Sequence, residues 1–481
     1  MRAGVLSVAF LSLGVGSVVG SAIDLALAKG HDILEAASQL IVSEPIPPSS
    51  PLLEIDESYF DVESGTKRKL CVLHPKGGEE LDDDNFKAAF EHCGNGGIIR
   101  LPDANYTIGS PLTTELNNAI LDVHGWISFS SDIDHWVAKR VPFEFQNLAL
   151  AWIIKGTNYV LEGNGKGGIY GNGDVWYNWA KDEGNKYGRP MSFAISDSKN
   201  VVVRNWSVIQ PQFWASIVIR SENVLYKNYY VNATQYNPEA SGHFLNWLQN
   251  TDGCDTYKSH NVTFEDMVYQ GGDDCLALKP NSSMIRARNV TCFGGTGIAF
   301  GSIGQYKGIV DYIDDVEFTD ITLLPSSQHL MKNGLYFKSW MGYEIGTPPN
   351  GGGGGSGYGR DIKVDGVKMK DVIRPIYLQS DLTYLNDHRG EGHDTGLFHW
   401  SNISLSNISG TSALNRVVWL DCSKQTPCKD ITFDHVKITP GKDDAPEIHY
   451  VCNNVVLGGG DGLDACHPSD SQKEGAEEVK G

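Results

Sequence analysis

From residue 200 onward one phrase recurs: NVVVRNWSVIQ at 200, NVLYKNYYVNA at 223, NVTFEDMVYQG at 261, MIRARNVTCFG at 284, DVEFTDITLLP at 315, DIKVDGVKMKD at 361, NISLSNISGTS at 402 and DITFDHVKITP at 430. Each copy is a short strand of alternating β-branched residues, an Asn, Asp or Gly at a turn, and a second short strand. The copies start 23, 38, 23, 31, 46, 41 and 28 residues apart. A base unit near 23 residues with insertions is what a coiled solenoid produces, because one coil can bury its apolar face only against the next. A large β-sandwich also alternates, but it has no reason to repeat an asparagine phrase. The chain is therefore predicted to be an all-β solenoid.

The ends of a solenoid need covering. Asp82-Asp83-Asp84-Asn85 followed by FKAAFEHCG predicts a helix with acidic residues in its first turn and Gly94 past its end. Phe86, Ala89 and Phe90 fall on one face, which fits an N-terminal capping helix. Ahead of it, Arg2, the apolar run from Val5 to Gly20 and the small residues Gly20-Ser21-Ala22 have the layout of a secretory signal. The predicted organisation is a signal peptide over 1–22, an extension or linker over 23–69 containing IPPSSP, the solenoid domain over 70–467, and a disordered tail over 468–481. GGGGGSG at 351–357 reads as a flexible loop between coils, since the repeat resumes at Asp361.

A secreted, extracellular location agrees with the cysteines. Eight of the nine fall into close pairs, Cys71 with Cys93, Cys275 with Cys292, Cys422 with Cys428 and Cys452 with Cys466, leaving Cys254 as a buried free thiol. Candidate glycan sites stand at Asn105, Asn205, Asn232, Asn261, Asn281, Asn289, Asn402 and Asn407, of which any buried one must go unused. The net charge of −20 argues against nucleic acid or an anionic membrane as partner. No Cys-x-x-Cys pair suggests zinc, and no acidic cluster has the six to eight oxygens of a calcium site. No metal and no cofactor are expected, and the protein is expected to be a monomer.

Two acidic phrases lie inside the repeat, Asn250-Thr251-Asp252 and Gly271-Gly272-Asp273-Asp274-Cys275. The 21 residues from Asp252 to Asp273 approximate one coil, and Thr296 follows Asp273 by 23 and precedes Lys338 by 42. These polar residues should align down one face of a cylinder with coils roughly 4.8 Å apart. Carboxyl groups so crowded cannot all stay ionised cheaply, so at least one should carry a proton. One proton-loaded acid and one carboxylate to activate water are what glycosidic hydrolysis requires. Asp255, by contrast, reads as an ordinary turn cap. In GGTGIAFGSIGQY, the glycines around Thr296 do not form a phosphate loop, because Ile298-Ala299-Phe300 alternates like a strand where a helix would have to start.

NTD at 250–252, GGDDC at 271–275, GGTGIAFGSIGQY at 294–306 and GLYFKSW at 334–340 resemble, in order, the four motifs of the pectin-degrading glycoside hydrolase family 28, which includes polygalacturonases and rhamnogalacturonan hydrolases. The third and fourth are most similar to the fungal exo-acting branch. The resemblance implies a right-handed parallel β-helix with an open cleft and metal-free inverting hydrolysis of a pectic polysaccharide or oligosaccharide. Carried over by motif, Asp273 is the general acid, while Asp252 and Asp274 hold and deprotonate the water. An inverting pair implies carboxyl groups roughly 6.5 to 9.5 Å apart.

The sequence departs from polygalacturonases at two places. Thr296 stands where Gly-His-Gly has its histidine, and Tyr336-Phe337-Lys338 replaces Arg-Ile-Lys. Lys338 can still hold a uronate as a point charge, but the bidentate arginine fork is missing, which leaves room for a neutral sugar such as rhamnose. The substrate-facing set is thus Thr296, Lys338, Tyr336, Tyr306 and Asn250, with Trp214 and Trp340 as further aromatics that could equally be core. The reading is an exo-hydrolase removing galacturonate from chain ends, with a rhamnohydrolase as its rival. A calcium-dependent lyase and a non-catalytic binding solenoid are the alternatives outside hydrolysis.

Overall fold

Every repeated phrase begins on a residue with positive φ and meets a second such residue five positions on. The pairs are Asn200 and Asn205, Asn223 and Asn228, Asn261 and Asp266, Met284 and Asn289, Asp315 and Asp320, Asp361 and Gly366, Asn402 and Asn407, and Asp430 and His435. These are corners of the coil. Asn and Asp enter the left-handed region at less cost than other residues bearing a Cβ, so they mark the phrase. The corners also bond to one another: Asn223 Nδ2 donates to Asn200 Oδ1 at 2.9 Å, and Asn261 Nδ2 to Asn223 Oδ1 at 2.8 Å.

The computed structural model describes residues 52–240, 246–440, 449–460 and 466–467. The predicted signal peptide, the linker as far as 51 and the tail lie outside them. Thirty strands hydrogen-bond into one sheet, nearly all of it parallel, wound as a parallel β-helix. Each coil gives a short strand to one face and a longer strand, bent at a corner, to the others. Along the short face run β1 (Ser216–Ile219), β2 (Cys254–Tyr257), β3 (Leu276–Leu278), β4 (Ile298–Ile303), β5 (Asn333–Trp340), β6 (Arg374–Leu382) and β7 (Arg416–Asp421). Their register is fixed by Cys254 opposite Leu276, Leu276 opposite Ile298, Ile298 opposite Leu335, Leu335 opposite Ile376 and Ile376 opposite Val418. Inside the coil, Val224, Val262, Ile285, Val316, Ile362, Ile403 and Ile431 stack in register and are buried. Burying each such side chain contributes about 1.5–3 kcal/mol.

The capping helix α1 (Asp83–Cys93) buries Phe86, Ala89, Phe90 and Cys93. Phe86 meets the edge of Trp152 at 5.5 Å, and the Cys71–Cys93 disulfide ties the helix to the first coil. Asp82 does not cap the helix with its side chain; its carboxylate accepts the N–H groups of Lys76 and Thr107, each at 2.8 Å. The sheet starts ahead of residue 70, because the strand Leu53–Asp56 pairs antiparallel with Leu70–Leu73 and covers that edge.

Cys275–Cys292 and Cys422–Cys428 are also bridged, and Cys254 is free and buried. Cys452 is disulfide-bonded, while the side chain of Cys466 lies outside the described residues. Among the candidate glycan sites Asn289, Asn402 and Asn407 are exposed and Asn105, Asn205, Asn261 and Asn281 are half-buried. Asn232 corrects the expectation: it is 2% exposed, with Oδ1 accepting from Thr234 at 2.8 Å, so it cannot take a glycan in the folded protein.

The glycine run is not a free loop. Gly353 N–H donates to Gln305 O at 2.6 Å, Gly354 to Met341 O at 2.9 Å and Gly355 to Gly304 O at 3.1 Å. Gly353 has φ 117°, and a Cβ there would lie 2.2 Å from Tyr343 O. The glycines permit this backbone-on-backbone contact, which ties the segment after β5 to the end of β4.

Candidate active site

Outward-facing residues of β2 to β7 form a row of Asp255, Ala277, Ala299, Tyr336, Tyr377 and Trp419, each opposite the next. This row is the floor of the candidate site. Two small alanines separate a carboxyl from an aromatic ladder in which Tyr336 stacks on Tyr377 at 5.0 Å and Tyr377 lies 4.8 Å from Trp419. At one end the floor is covered. Phe143, Phe145, Leu148 and Leu150 pack with Trp214 over Ile217 and Ile219 of β1 and Tyr257 of β2. From the far side, the segment after β5 reaches the same end: Asn147 Nδ2 donates to Pro348 O at 2.8 Å and Asn185 Nδ2 to Asn350 Oδ1 at 2.9 Å.

The acids stand where the chain enters the floor strands. Asp252 comes two residues before Cys254, Asp274 two before Leu276, and Thr296 two before Ile298, so these three are equivalent positions on consecutive coils. The sequence spacing had suggested Asp273 for the middle place. Asp273 instead occupies the bend one residue earlier, which explains how neighbouring aspartates serve one site despite the alternation of side chains along a strand. Lys338 likewise leaves the row: it lies opposite Gly301, and its long side chain returns to the acids.

One oxygen from each of Asp252, Asp273 and Asp274 lies within 4.8 Å of the other two, a closer approach than the roughly 6.5 to 9.5 Å expected of an inverting pair. Asp274 Oδ2 pairs with Lys338 Nζ at 2.7 Å, and its Oδ1 accepts the Thr296 hydroxyl. Asp273 Oδ2 accepts Asn250 N–H at 2.8 Å and its Oδ1 accepts Asp274 N–H at 2.9 Å. Asp252 Oδ1 is buried with no protein partner. Of the three, Asp273 alone is half-buried; Asp252 and Asp274 are buried. Gly295 makes the crowding possible, since at φ 78° a Cβ would lie 2.1 Å from Asp273 O.

The charge balance is unusual. Lys279, which the sequence reading missed, is buried with Nζ 3.8 Å from Asp274 Oδ2 and 3.9 Å from Asp252 Oδ2. Asp255, read as a turn cap, is instead a fully buried floor residue whose two oxygens lack hydrogen-bond partners. Four carboxyl groups thus face two ammonium groups in a poorly solvated site. Burial and the charge of Asp274 raise Asp273 above the ordinary carboxyl range. Burial, then Asp255, Asp273 and Asp274, push Asp252 well up. Burial pushes Asp255 up to about 8 against the pull of Lys279. Both lysines are held above their ordinary range: burial is the largest single effect and lowers each, but Asp274, Tyr384, Tyr336 and Asp273 together outweigh it at Lys338, and Asp255, Asp274 and Asp252 together at Lys279.

The other expected residues divide. Tyr336 is on the floor, its hydroxyl donating to Gln379 at 2.8 Å. Asn250 positions Asp273 through its backbone. Tyr306 takes the N–H of Gln146 on its hydroxyl at 2.7 Å and so supports the covered end. Trp214 and Trp340 are core, 2% and 0% exposed, although Trp214 keeps its ring 4.8 Å from Lys279 Nζ. Arg189, also unforeseen, is buried and spends Nη1 on the carbonyls of Gly184 and Gln249, stitching the covered end to the turn that carries Asp252.

Residues 125–458 match the glycosyl hydrolases family 28. A protein of Aspergillus flavus, named by inference galacturan 1,4-alpha-galacturonidase A, is 44% identical over 77% of this chain and 88% of its own length. An alpha-L-rhamnosidase of Aspergillus niger is 32% identical over 82% of this chain and 89% of its own. In structure, the endo-xylogalacturonan hydrolase of Aspergillus tubingensis superposes with a TM-score of 0.63 at 20% identity, covering 81% of this chain and all of that one. With more than half its length matched and the acids of its first two motifs gathered on one face, the chain belongs to glycosyl hydrolase family 28.

Proposed function

We propose that the protein is a secreted, monomeric exo-hydrolase that removes terminal galacturonate from polygalacturonate with inversion. The observation carrying this reading is the position of Asp252, Asp273 and Asp274 directly beside the covered end of the floor. A polymer entering there can place only its terminal sugar beyond the acids. Asp273, half-exposed and proton-loaded, protonates the glycosidic oxygen. Asp252 and Asp274 hold the water on the opposite side, and Asp274, paired with Lys338, accepts its proton. With the three carboxyls so close, the water is gripped by two of them at once; it does not bridge a wide gap between acid and base. Lys279 and Lys338 supply the positive charge that such a trio requires. Secretion is supported by the disulfides, and among the described residues no helix is long and apolar enough to cross a membrane.

A rhamnohydrolase is the second reading. Tyr336 in place of the motif arginine favours it, as does similarity to the Aspergillus niger rhamnosidase. Digestion of defined galacturonan and rhamnogalacturonan oligomers with product identification separates the two. Free galacturonate is expected; release of rhamnose without galacturonate would overturn the first reading.

A further inference from the structure

Two cations beside the acids make no ion pair among the described residues. Lys332 N–H donates to Gly295 O at 2.7 Å and Arg374 N–H to Lys332 O at 3.0 Å, while Thr296 N–H donates to Asp273 O at 2.9 Å. Lys332 and Arg374 therefore stand one and two coils beyond the Gly295–Thr296 turn, on the acid side of the floor and leading away from the covered end. Both are half-buried. Among the described residues neither side chain makes a hydrogen bond or an ion pair. In a chain of net charge −20 that is a conspicuous omission, since the neighbouring Lys338 and Lys279 are both paired. The guanidinium of Arg374 lies 4.9 Å from the Tyr377 ring, which in turn stacks on Tyr336 with the planes 9° apart. A guanidinium held against a ring keeps its planar fork of N–H donors, the group that grips a carboxylate with two parallel bonds.

Resting on the galacturonan reading above, we infer that Lys332 and Arg374 form a carboxylate clamp for the uronate on the leaving side of the scissile bond. The arginine fork absent at Tyr336 is restored from the next coil. The polymer leaves over β5 to β7, because the other end is covered, and its first leaving-side ring passes over Tyr336 and Tyr377 within reach of both cations. Burial lowers the pKa of Lys332, and the charge of Asp273 only partly offsets this, with Arg374 adding to the lowering. An incoming carboxylate supplies the ion pair that Asp273 does not make with Lys332.

The test uses trigalacturonate and the same trimer methyl-esterified at the leaving-side carboxylate next to the cleaved bond. Release of galacturonate from the unmodified trimer by the wild type checks the underlying reading separately from the clamp. For the wild type, esterification is expected to raise KM roughly tenfold to a hundredfold, the worth of charge-assisted hydrogen bonds. In Arg374→Gln and Lys332→Gln, KM for the free acid should rise by a similar factor with kcat changed less than about twofold, the pattern of lost uniform binding. Esterification should then have little further effect, and Arg374→Lys should fall between. Near-UV circular dichroism checks that the variants keep the packed fold. Variants that distinguish acid from ester as the wild type does would overturn the clamp. If Arg374→Gln does not fold, the remaining measurements decide: equal KM for acid and ester in the wild type, or an unchanged KM in Lys332→Gln, also overturns it.

Discussion

Lys338 Nζ and Asp274 Oδ2 form a 2.7 Å ion pair between residues two coils apart, and both side chains are buried. Removing one partner leaves the other as an uncompensated buried charge. Lys338→Met should lower stability by about 3–5 kcal/mol, the range seen when a buried pair is broken. Chemical denaturation measures this, and galacturonate release should fall in parallel because Asp274 loses its orientation.

Asp273→Asn keeps the shape of the side chain, but its single amide oxygen can accept only one of the N–H groups of Asn250 and Asp274, and it cannot donate a proton to the leaving oxygen. Turnover should fall by roughly 10²–10⁴, the contribution of general acid catalysis. The loss of stability should not exceed that of one hydrogen bond, about 0.5–1.5 kcal/mol by chemical denaturation. Activity retained in this variant would assign the proton to another group.

The alkaline limb of the pH–rate profile should follow the deprotonation of Asp273. Its pKa is raised by burial and by Asp274, so activity is kept above the ordinary carboxyl range and lost as pH rises through that raised value. Asp274→Asn removes the neighbouring charge and should move this limb to lower pH in whatever activity remains. Single-turnover rates measured across pH give the shift.

Asp255 has a pKa of about 8 in the folded state, above the ordinary 3.8. The folded protein therefore binds more protons than the unfolded chain between those values. Stability from this group is complete below about pH 4 and is lost as pH rises through about 8. Asp255→Asn should flatten the fall in melting temperature across that window, with the largest gain over the wild type at the alkaline end.

Replacing Gly346–Asn350 by a shorter turn removes the bonds from Asn147 and Asn185 and opens the covered end. Longer products than a single sugar should then appear among the digestion products by anion-exchange chromatography. A profile of monosaccharide alone would mean that the apolar cover over Ile217 and Ile219 suffices.

The coil was legible because its corners make a chemical demand that only a few residues meet cheaply, and Asn and Asp at Asn200, Asn223 and Asn261 advertise it. The acids were legible because their spacing approximates one coil. The off-by-one register arose at the bend before β3, where counting residues cannot show which aspartate continues the row. Asp255 and Lys279 were hidden for another reason. An aspartate two residues after a glycine resembles a turn cap, and a lone lysine at a strand end resembles a surface charge; only the coils around them make both buried. The cover over the floor depends on contacts such as Gln146 with Tyr306, 160 residues apart, which no local pattern announces.

The covered end also makes the enzyme a gauge of length. The apolar cover rests on β1 and Tyr257 of β2, and the first acid precedes β2, so hardly more than one coil separates the stop from the blade. Product size is then a property of architecture and does not depend on the affinity of any one subsite. Inserting one further coil between β1 and β2 would move the stop back by a rung, and the protein would be expected to count in twos.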